Sequence, residues 1–376
     1  MSSAIRRHVS LLIACVALAI VLPVAPRLQA LPTFDVIATG LDNPRGLAFG
    51  PEGALYVAEA GRGGAGPCID GPEGQVCYGA TGAITRVWPS FPASQSRLVS
   101  GLPSLAPPPT AANAGQRAGG PVDVGFLGRG NGWVTIGLGN NPAQRANLGP
   151  AGVNFGHLLR FLPNGKYEYA EDLAGFEAIA NPDEGAFDSN PYGILVAPSR
   201  RIVADAGGNA INEVAANGAI TNLAVFPNRL VQNPFAPPGV MVPMQAVPTT
   251  VTTGPDGALY VGQLTGFPFP VGGARVYRVP ANGGTPTIYA SGLTNIIDIA
   301  FGADGSLYVL EIFANGMLSG SPAGALIRVA PDGTQTTIAS AGLTIPGGLA
   351  IADNGGLYVT NFATTPGGGQ VVKINP

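Results

Sequence analysis

The sequence predicts an all-β protein, a six-bladed β-propeller. Three observations carry this: a composition hostile to helices, a four-strand unit that recurs along the chain, and a first strand that matches the one missing at the end. Of 376 residues, 56 are glycine and 36 are proline, about a quarter of the chain against roughly an eighth in ordinary proteins. Both are poor helix residues, so long helices are excluded. A hydrophobic fraction of 46% supplies the apolar surface that disordered chains lack. Charged residues make up only 11%, with a formal net charge of −3. No basic stripe is present to neutralise phosphates, which excludes nucleic-acid binding. No basic amphipathic segment follows residue 30, which argues against docking on a membrane surface.

Residues 1–30 read as an export signal. Arg6 and Arg7 precede an apolar run over 11–22 that ends at Pro23, too short for the roughly 20 residues that span a bilayer. Leu28-Gln29-Ala30 then offers a small-residue cleavage site. A lipobox-like Leu12-Ile13-Ala14-Cys15 sits inside the run instead of at its end, and the Arg6-Arg7 pair leaves a twin-arginine route open. The mature chain is therefore expected to be periplasmic or extracellular, with no membrane insertion once the signal is gone. Its only cysteines would be Cys68 and Cys77, an isolated pair that an oxidising compartment joins as a disulfide. Closing so short a loop stabilises by roughly 2–3 kcal/mol in the chain-entropy picture. A redox-active pair would call for the CxxC spacing that is missing here.

The repeat organises residues 31–376 as one domain. A Pro-x-Gly-Leu-Ala-like segment, a tight turn and Leu-Tyr-Val recur at 44–57, 248–261, 296–309 and 346–359, with weaker copies at 121–135 and 191–203. Each copy continues into an alternating strand, at 84–87, 158–161, 211–214, 276–279, 326–329 and 371–374, and then into a fourth strand such as 288–293 or 338–343. Four short strands per unit, a to d, repeated six times, are the pattern of a propeller. The sixth unit stops after its strand c, and 34–41 has the look of a strand d. It is predicted to complete the last blade and to close the ring. The a-to-b turns are tight, whereas the long insertions, 61–80, 103–119, 138–154, 171–189, 227–247, 264–273 and 312–323, all fall on b-to-c or d-to-a connections. Those emerge on one side of a propeller, so the functional face is expected there.

Stacking the repeats gives columns. Strand a opens with Asn43, Gly120, Asn190, Val247, Asn295 and Ile345; three positions on come Gly46, Asp123, Gly193, Thr250, Asp298 and Gly348. The small residues suit strands crowded at an axis. Asp123 and Asp298 come from opposite blades and are predicted to face each other, with Asn190 and Asn295 nearer the mouth. Carboxylate and amide oxygens in that arrangement suit a hard cation such as Ca²⁺; the alternative is that the acids accept hydrogen bonds from neighbouring backbone or hold channel water. Strand b ends with Glu59, Gly137, Asp205, Gln263, Glu311 and Asn361. Most of these are expected to cap the following loop, while Glu59, Asp205, Gln263 and Glu311 also stand as ligand-binding candidates, an acid among them being a potential general base. The strand-c column Arg86, Arg160, Glu213, Arg278, Arg328 and Lys373 reads as an outward polar face.

The absences discriminate as well. His157 is the single histidine after residue 30, with no nucleophile elbow beside it, so a Ser-His-Asp triad has no footing. Zinc normally needs several His or Cys. Aromatic residues gather in the long loops, Tyr192, Phe235, Phe267 and Phe269 among them, and a subset of these is expected to line a pocket for a flat organic ligand.

Over the whole mature chain, the strings GGAGPCI (63–69), VCYG (76–79), DSNPYG (188–193), DAGGNA (205–210), MQAVPT (244–249), GQLTGFPFPVGGARVYRV (262–279) and TNIIDIAFG (294–302) resemble the ScyD/ScyE family, exported propellers related to NHL-repeat proteins. The family takes its name from gene clusters for scytonemin, a dimeric indole–phenol pigment. The resemblance implies a periplasmic role in late assembly of such a pigment, binding or processing a small aromatic molecule. It transfers no catalytic residue. Two other functions stay open: a non-catalytic propeller that binds a protein or glycan partner, and, by fold analogy alone, a metal-dependent hydrolase like the lactonase propellers.

Overall fold

A computed structural model describes residues 32–90, 93–128 and 131–376; the expected export signal, residues 1–30, lies outside them. Each repeat folds as a four-stranded antiparallel sheet that runs outward from the axis. The inner strands a are Pro44–Phe49, Pro121–Phe126, Pro191–Ala197, Pro248–Thr253, Ile296–Phe301 and Gly348–Ile351. Each touches the next, and the sixth returns to the first. In the last blade, Gly369–Asn375 pairs on its outer side with Thr33–Leu41, Phe34 opposite Ile374 and Val36 opposite Val372. The six blades and their closure by the first strand are thus as the repeat predicts.

The repeated residues have definite jobs. In the a-to-b turn, Gly50 N–H donates to Ala54 O, Gly254 to Ala258 O and Gly302 to Ser306 O, while Gly53, Gly257 and Gly305 take positive φ, which glycine adopts without a Cβ penalty. The tyrosine of Leu-Tyr-Val folds back over the first of these glycines. A Cβ on Gly254 would stand 2.1 Å from Tyr260 Cε2. The same tyrosine packs on the phenylalanine that ends strand a of the next blade: Tyr56 on Phe126 at 4.7 Å, Tyr260 on Phe301 at 4.8 Å and Tyr358 on Phe49 at 5.4 Å between ring centroids. These tilted and edge-to-face pairs each add about 0.5–1.5 kcal/mol beyond area burial and join neighbouring blades, the sixth to the first included.

Several of the predicted loops contain structure of their own, including 3-10 turns at Pro142–Leu148, Pro150–Asn154 and Met317–Ser319. In blade 1, strand c runs over Gly74–Trp88 and strand d over Ser94–Ala106, so pairing continues well past the blade, through register shifts around Gly79 and Gly82. A further strand, Cys68–Gly71, pairs with the start of this ribbon, and Cys68 and Cys77 are joined by a disulfide. Segment 171–189 holds helix α1, Leu173–Ala180, capped by Asp172, whose side chain accepts from Gly175 N–H, and ended by Asn181 in the left-handed region. Segment 227–247 carries a hairpin, Arg229–Gln232 with Met241–Met244. Among the described residues no helix is long and apolar enough to cross a membrane.

Gly254→Ala tests the turn packing. The added methyl must displace a tyrosine that is only 5% exposed, which costs about 1–3 kcal/mol. Urea unfolding is expected to show a lower midpoint with an unchanged slope.

Candidate functional site

At the level of the small-residue column the inner strands meet closely, and beside it the strands of all six blades line an axial cavity of about 290 Å³ that includes Asp123 and Asp298. A Cβ on Gly46 would lie 2.0 Å from Asp123 Oδ1, one on Gly193 2.7 Å from Thr249 O, and one on Gly348 2.7 Å from Gly46 Cα. Asp123 and Asp298 line the channel from opposite blades, and each ties its own strand to the next. Asp123 Oδ1 accepts from Val124 N–H at 2.8 Å and Oδ2 from Ile194 N–H of blade 3 at 2.9 Å. Asp298 Oδ1 accepts from Ile299 N–H and from Thr250 Oγ1 of blade 4, both at 2.8 Å, and Oδ2 from Leu349 N–H of blade 6 at 2.7 Å. Burial pushes both carboxyls up, Asp298 to about 6; repulsion from Asp298 raises Asp123 further.

The two asparagines predicted above them behave differently. Asn295 is fully buried in the left-handed region at φ 40°, a conformation asparagine tolerates better than most residues. Its Nδ2 donates to Leu264 O at 2.9 Å and its Oδ1 accepts from Met317 N–H at 3.0 Å, so its amide fastens loops and does not join the axial acids. Asn190 lines a cavity on the long-loop face. The donor set predicted for Ca²⁺ is therefore not gathered, and every oxygen of the two carboxylates already accepts a hydrogen bond.

The acids and amides at the end of strand b form one recurring cap, reaching back to the segment just before strand a. Glu59 Oε2 accepts from Asp42 N–H at 2.7 Å, Glu311 Oε1 from Thr294 N–H at 2.7 Å and Asn361 Oδ1 from Thr344 N–H at 2.7 Å. Asp205 accepts from Asn190 N–H at 2.6 Å and from Ser189 Oγ at 2.8 Å, and Gln263 donates to Ala246 O at 3.2 Å. Glu59 also pairs with Arg97, which bridges to Asp42. All five lie within 6% of full burial, so none presents a free carboxylate to a ligand. Blade 2 corrects the sequence alignment: Pro121 pairs with Ile136 as Pro44 pairs with Glu59 and Pro191 with Asp205. Ile136, not Gly137, occupies the cap position, and blade 2 has no polar cap.

Next to this uncapped blade the long-loop face opens into a cavity of about 300 Å³, at the lower end of small-molecule sites. Val122, Leu105, Leu138 and Val76 give it apolar walls; Arg45, Asn113, Asn140, Asn190 and Tyr192 supply polar groups. Arg45 and Tyr192 immediately precede the axial column. The Arg45 guanidinium donates to Ala118 O at 2.8 Å and faces the Tyr192 hydroxyl. Burial raises the Tyr192 phenol; Arg45 pulls it back down, and the negative charges of Asp123 and Asp298 push it up. Among the described residues no carboxylate pairs with Arg45, whereas Arg97, Arg145, Arg200 and Arg201 all have one. The cavity's outer rim is the disulfide-closed ribbon of blade 1, whose tip is latched by the Glu73–Arg117 ion pair.

Tyr192, one of the aromatic candidates, lines this cavity, and Arg45 is the residue that sequence reasoning missed. The signal was present: in the column Arg45, Val122, Tyr192, Thr249, Ile297 and Gly347 it is the one charged side chain. His157 lies apart, with Nδ1 3.4 Å from Phe155 O, and burial lowers its pKa. Among the described residues no three His, Cys, Asp or Glu side chains ring a common point.

No protein-family model matches the sequence, and no curated protein matches it. Solved structures do. Regucalcin from Agrobacterium tumefaciens, described as a calcium-binding protein, superposes over 90% of this chain and 92% of its own, with 13% identity and a TM-score of 0.52. A candidate gluconolactonase covers 92% of this chain and 93% of its own at 12% identity and TM-score 0.51. Streptogramin B lyase covers 92% and 97% at 15% identity, with a TM-score of 0.49. At these identities the likeness shows the fold alone: the chain is a six-bladed β-propeller, as are the gluconolactonase-like protein and regucalcin.

Glu311 gives the caps a pH signature. Burial raises its carboxyl from 4.5 to about 7, against the hydrogen bond from Thr294 N–H. The unfolded chain ionises it near the ordinary value and the folded chain only near the raised one, so this group lowers stability as pH rises through that window, and the loss persists above it. Glu311→Gln, the side chain that blade 4 uses at Gln263, removes the dependence. The variant's stability relative to the native chain is expected to rise by on the order of 1–3 kcal/mol between pH 5 and pH 8, read from urea unfolding at both.

Proposed function

We propose that this protein is an exported, ScyD/ScyE-like propeller that binds a small aromatic molecule bearing a carboxylate or enolate oxygen. The ligand sits in the long-loop-face cavity beside the channel mouth. The observation that carries the reading is Arg45: a half-buried guanidinium without a carboxylate partner, set against the Tyr192 phenol inside a partly apolar cavity. A guanidinium offers a planar fork of donors that matches a carboxylate, the phenol and the amides of Asn113 and Asn190 add further donors, and the apolar walls accept a ring. The resemblance to a family named for an indole–phenol pigment supports an aromatic ligand and a task among late steps that handle such a pigment's monomers. Export is supported by the signal-like residues 1–30 and by the disulfide, which persists in oxidising compartments.

A second reading, a scaffold for a protein or glycan, rests on a separate feature of the same face. The hairpin and the neighbouring loop expose Phe235 at 73%, Leu230 at 69% and Phe267 at 46%, with Phe235 and Phe267 stacked at 6.2 Å.

Calorimetric titration with indole-3-acetate, 4-hydroxybenzoate and neutral indole separates the readings. The two acids are expected to bind and indole to bind far more weakly. Arg45→Met is expected to weaken the acids by about tenfold or more, the 1.5–3 kcal/mol of a charge-assisted hydrogen bond, and Tyr192→Phe by less. Equal affinity for indole, or unchanged binding in Arg45→Met, would refute the assignment.

A further inference from the structure

Away from the axis and the cavity, four acids meet with no base among them. Glu177 lies on helix α1, Asp183 and Asp188 on the segment that follows, and Asp205 at the end of strand b in blade 3. Glu177 is 1% exposed, and both its oxygens lack any hydrogen-bond partner; Asp188 Oδ1 and Asn181 Oδ1 are buried and unpartnered as well. The Gly207–Gly208 turn forms a common wall. A Cβ on Gly208 would stand 2.9 Å from Glu177 Oε2 and 3.6 Å from Asp205 Cγ, and one on Gly207 2.9 Å from Asp188 Cγ. The absence of side chains at these two glycines lets the carboxyls approach.

Asp183 and Asp205 already spend their oxygens locally. Asp183 accepts from Gly185 N–H at 2.8 Å and from Asn209 Nδ2 at 2.9 Å. Asp205 accepts from three backbone N–H groups and Ser189. Within the cluster only Glu177 and Asp188 therefore have free oxygens, and among the described residues no trio of acids rings one point. The charges acting on Glu177 are those of Asp205, Asp183 and Asp188, and no basic side chain offsets them. Burial and this repulsion raise Glu177 to about 7 and Asp188 to about 6. An ionised carboxylate sealed from water without partner or counter-charge costs several kcal/mol, and a bound cation removes that cost.

We propose that Glu177 and Asp188, with amide or carbonyl oxygens of the 181–188 segment, bind a divalent hard cation of the Ca²⁺ class between helix α1 and the Gly207–Gly208 turn. Both carboxylates supply oxygen, the ligand type Ca²⁺ prefers, and Ca²⁺ readily takes neutral oxygens and water for its remaining positions. Asp183 and Asp205 add negative potential without giving up their hydrogen bonds. The bound ion anchors the segment that continues through Asn190 to Tyr192, two residues of the aromatic cavity. It is a structural ion, off the axis, and it does not depend on the cavity's ligand.

The test is to strip the exported chain with EDTA, equilibrate it with CaCl₂, desalt it, and measure bound calcium together with the melting temperature. The expected result is one Ca²⁺ per chain and a melting temperature raised by several degrees, both lost in Glu177→Gln and in Asp188→Asn. Both should be kept in the Asp123→Asn/Asp298→Asn double variant. No retained calcium with calcium-independent melting would overturn the proposal, since the cluster then holds protons in place of an ion. Calcium kept by Glu177→Gln and lost by the axial double variant would overturn it equally, by moving the ion to the channel. Because the readouts are metal content and melting, failure here leaves the aromatic-ligand reading untouched, and the reverse also holds.

Discussion

The ring stands on one antiparallel pairing. Each inner strand touches the one before and the one after it, and the last blade is completed where Thr33–Leu41 lies along Gly369–Asn375. Residues 340 positions apart thereby share one sheet, joined by a bond such as Asn375 Nδ2 to Asp35 Oδ2 at 2.9 Å. Closure removes the edges that an open array of blades would expose. It also fixes how tightly six strands crowd the axis, and that crowding decides which side chains can stand there.

From the crowding follows the division between structure and function. Glycine at 46, 193 and 348 lets the strands meet. The two carboxylates that remain in that layer are consumed in tying blade to blade, as are the acids and amides that end strand b. A chain with few charges spends most of its buried ones on holding d-to-a connections against their own blades. Chemistry is left to whatever polar groups escape that role. On the long-loop face, Arg45 escapes it, because the uncapped second blade and the ribbon of blade 1 open a cavity beside it. Near blade 3, Glu177 and Asp188 escape it as well.

The fold was legible because a propeller writes its geometry as a repeat. The turn glycine, the tyrosine that covers it and the phenylalanine of the next blade recur at fixed spacing, and each recurrence is the same packing solution. The caps were legible as a polar column, and their structural role was the better of the two readings. The register of blade 2 was not, since Gly132–Ile136 lacks the Leu-Tyr-Val that marks this strand in four of the six blades. Neither was the cavity, whose outer rim is the ribbon of blade 1, where pairing runs on past Gly79. The acidic cluster escaped notice for a related reason. Glu177 reaches Asp205 only through a helix folded out of an insertion, and no periodic pattern relates the two.

The central claim is that the ligand-binding centre lies off the axis, at Arg45 and Tyr192, while the axial carboxylates are pins. A crystal structure of the chain grown with indole-3-acetate addresses it directly. The account predicts the carboxylate against the Arg45 guanidinium, with the ring between Val122, Leu105 and Leu138. Density in the channel against Asp123 and Asp298, or on the Phe235–Phe267 platform with the Arg45 cavity empty, would contradict it.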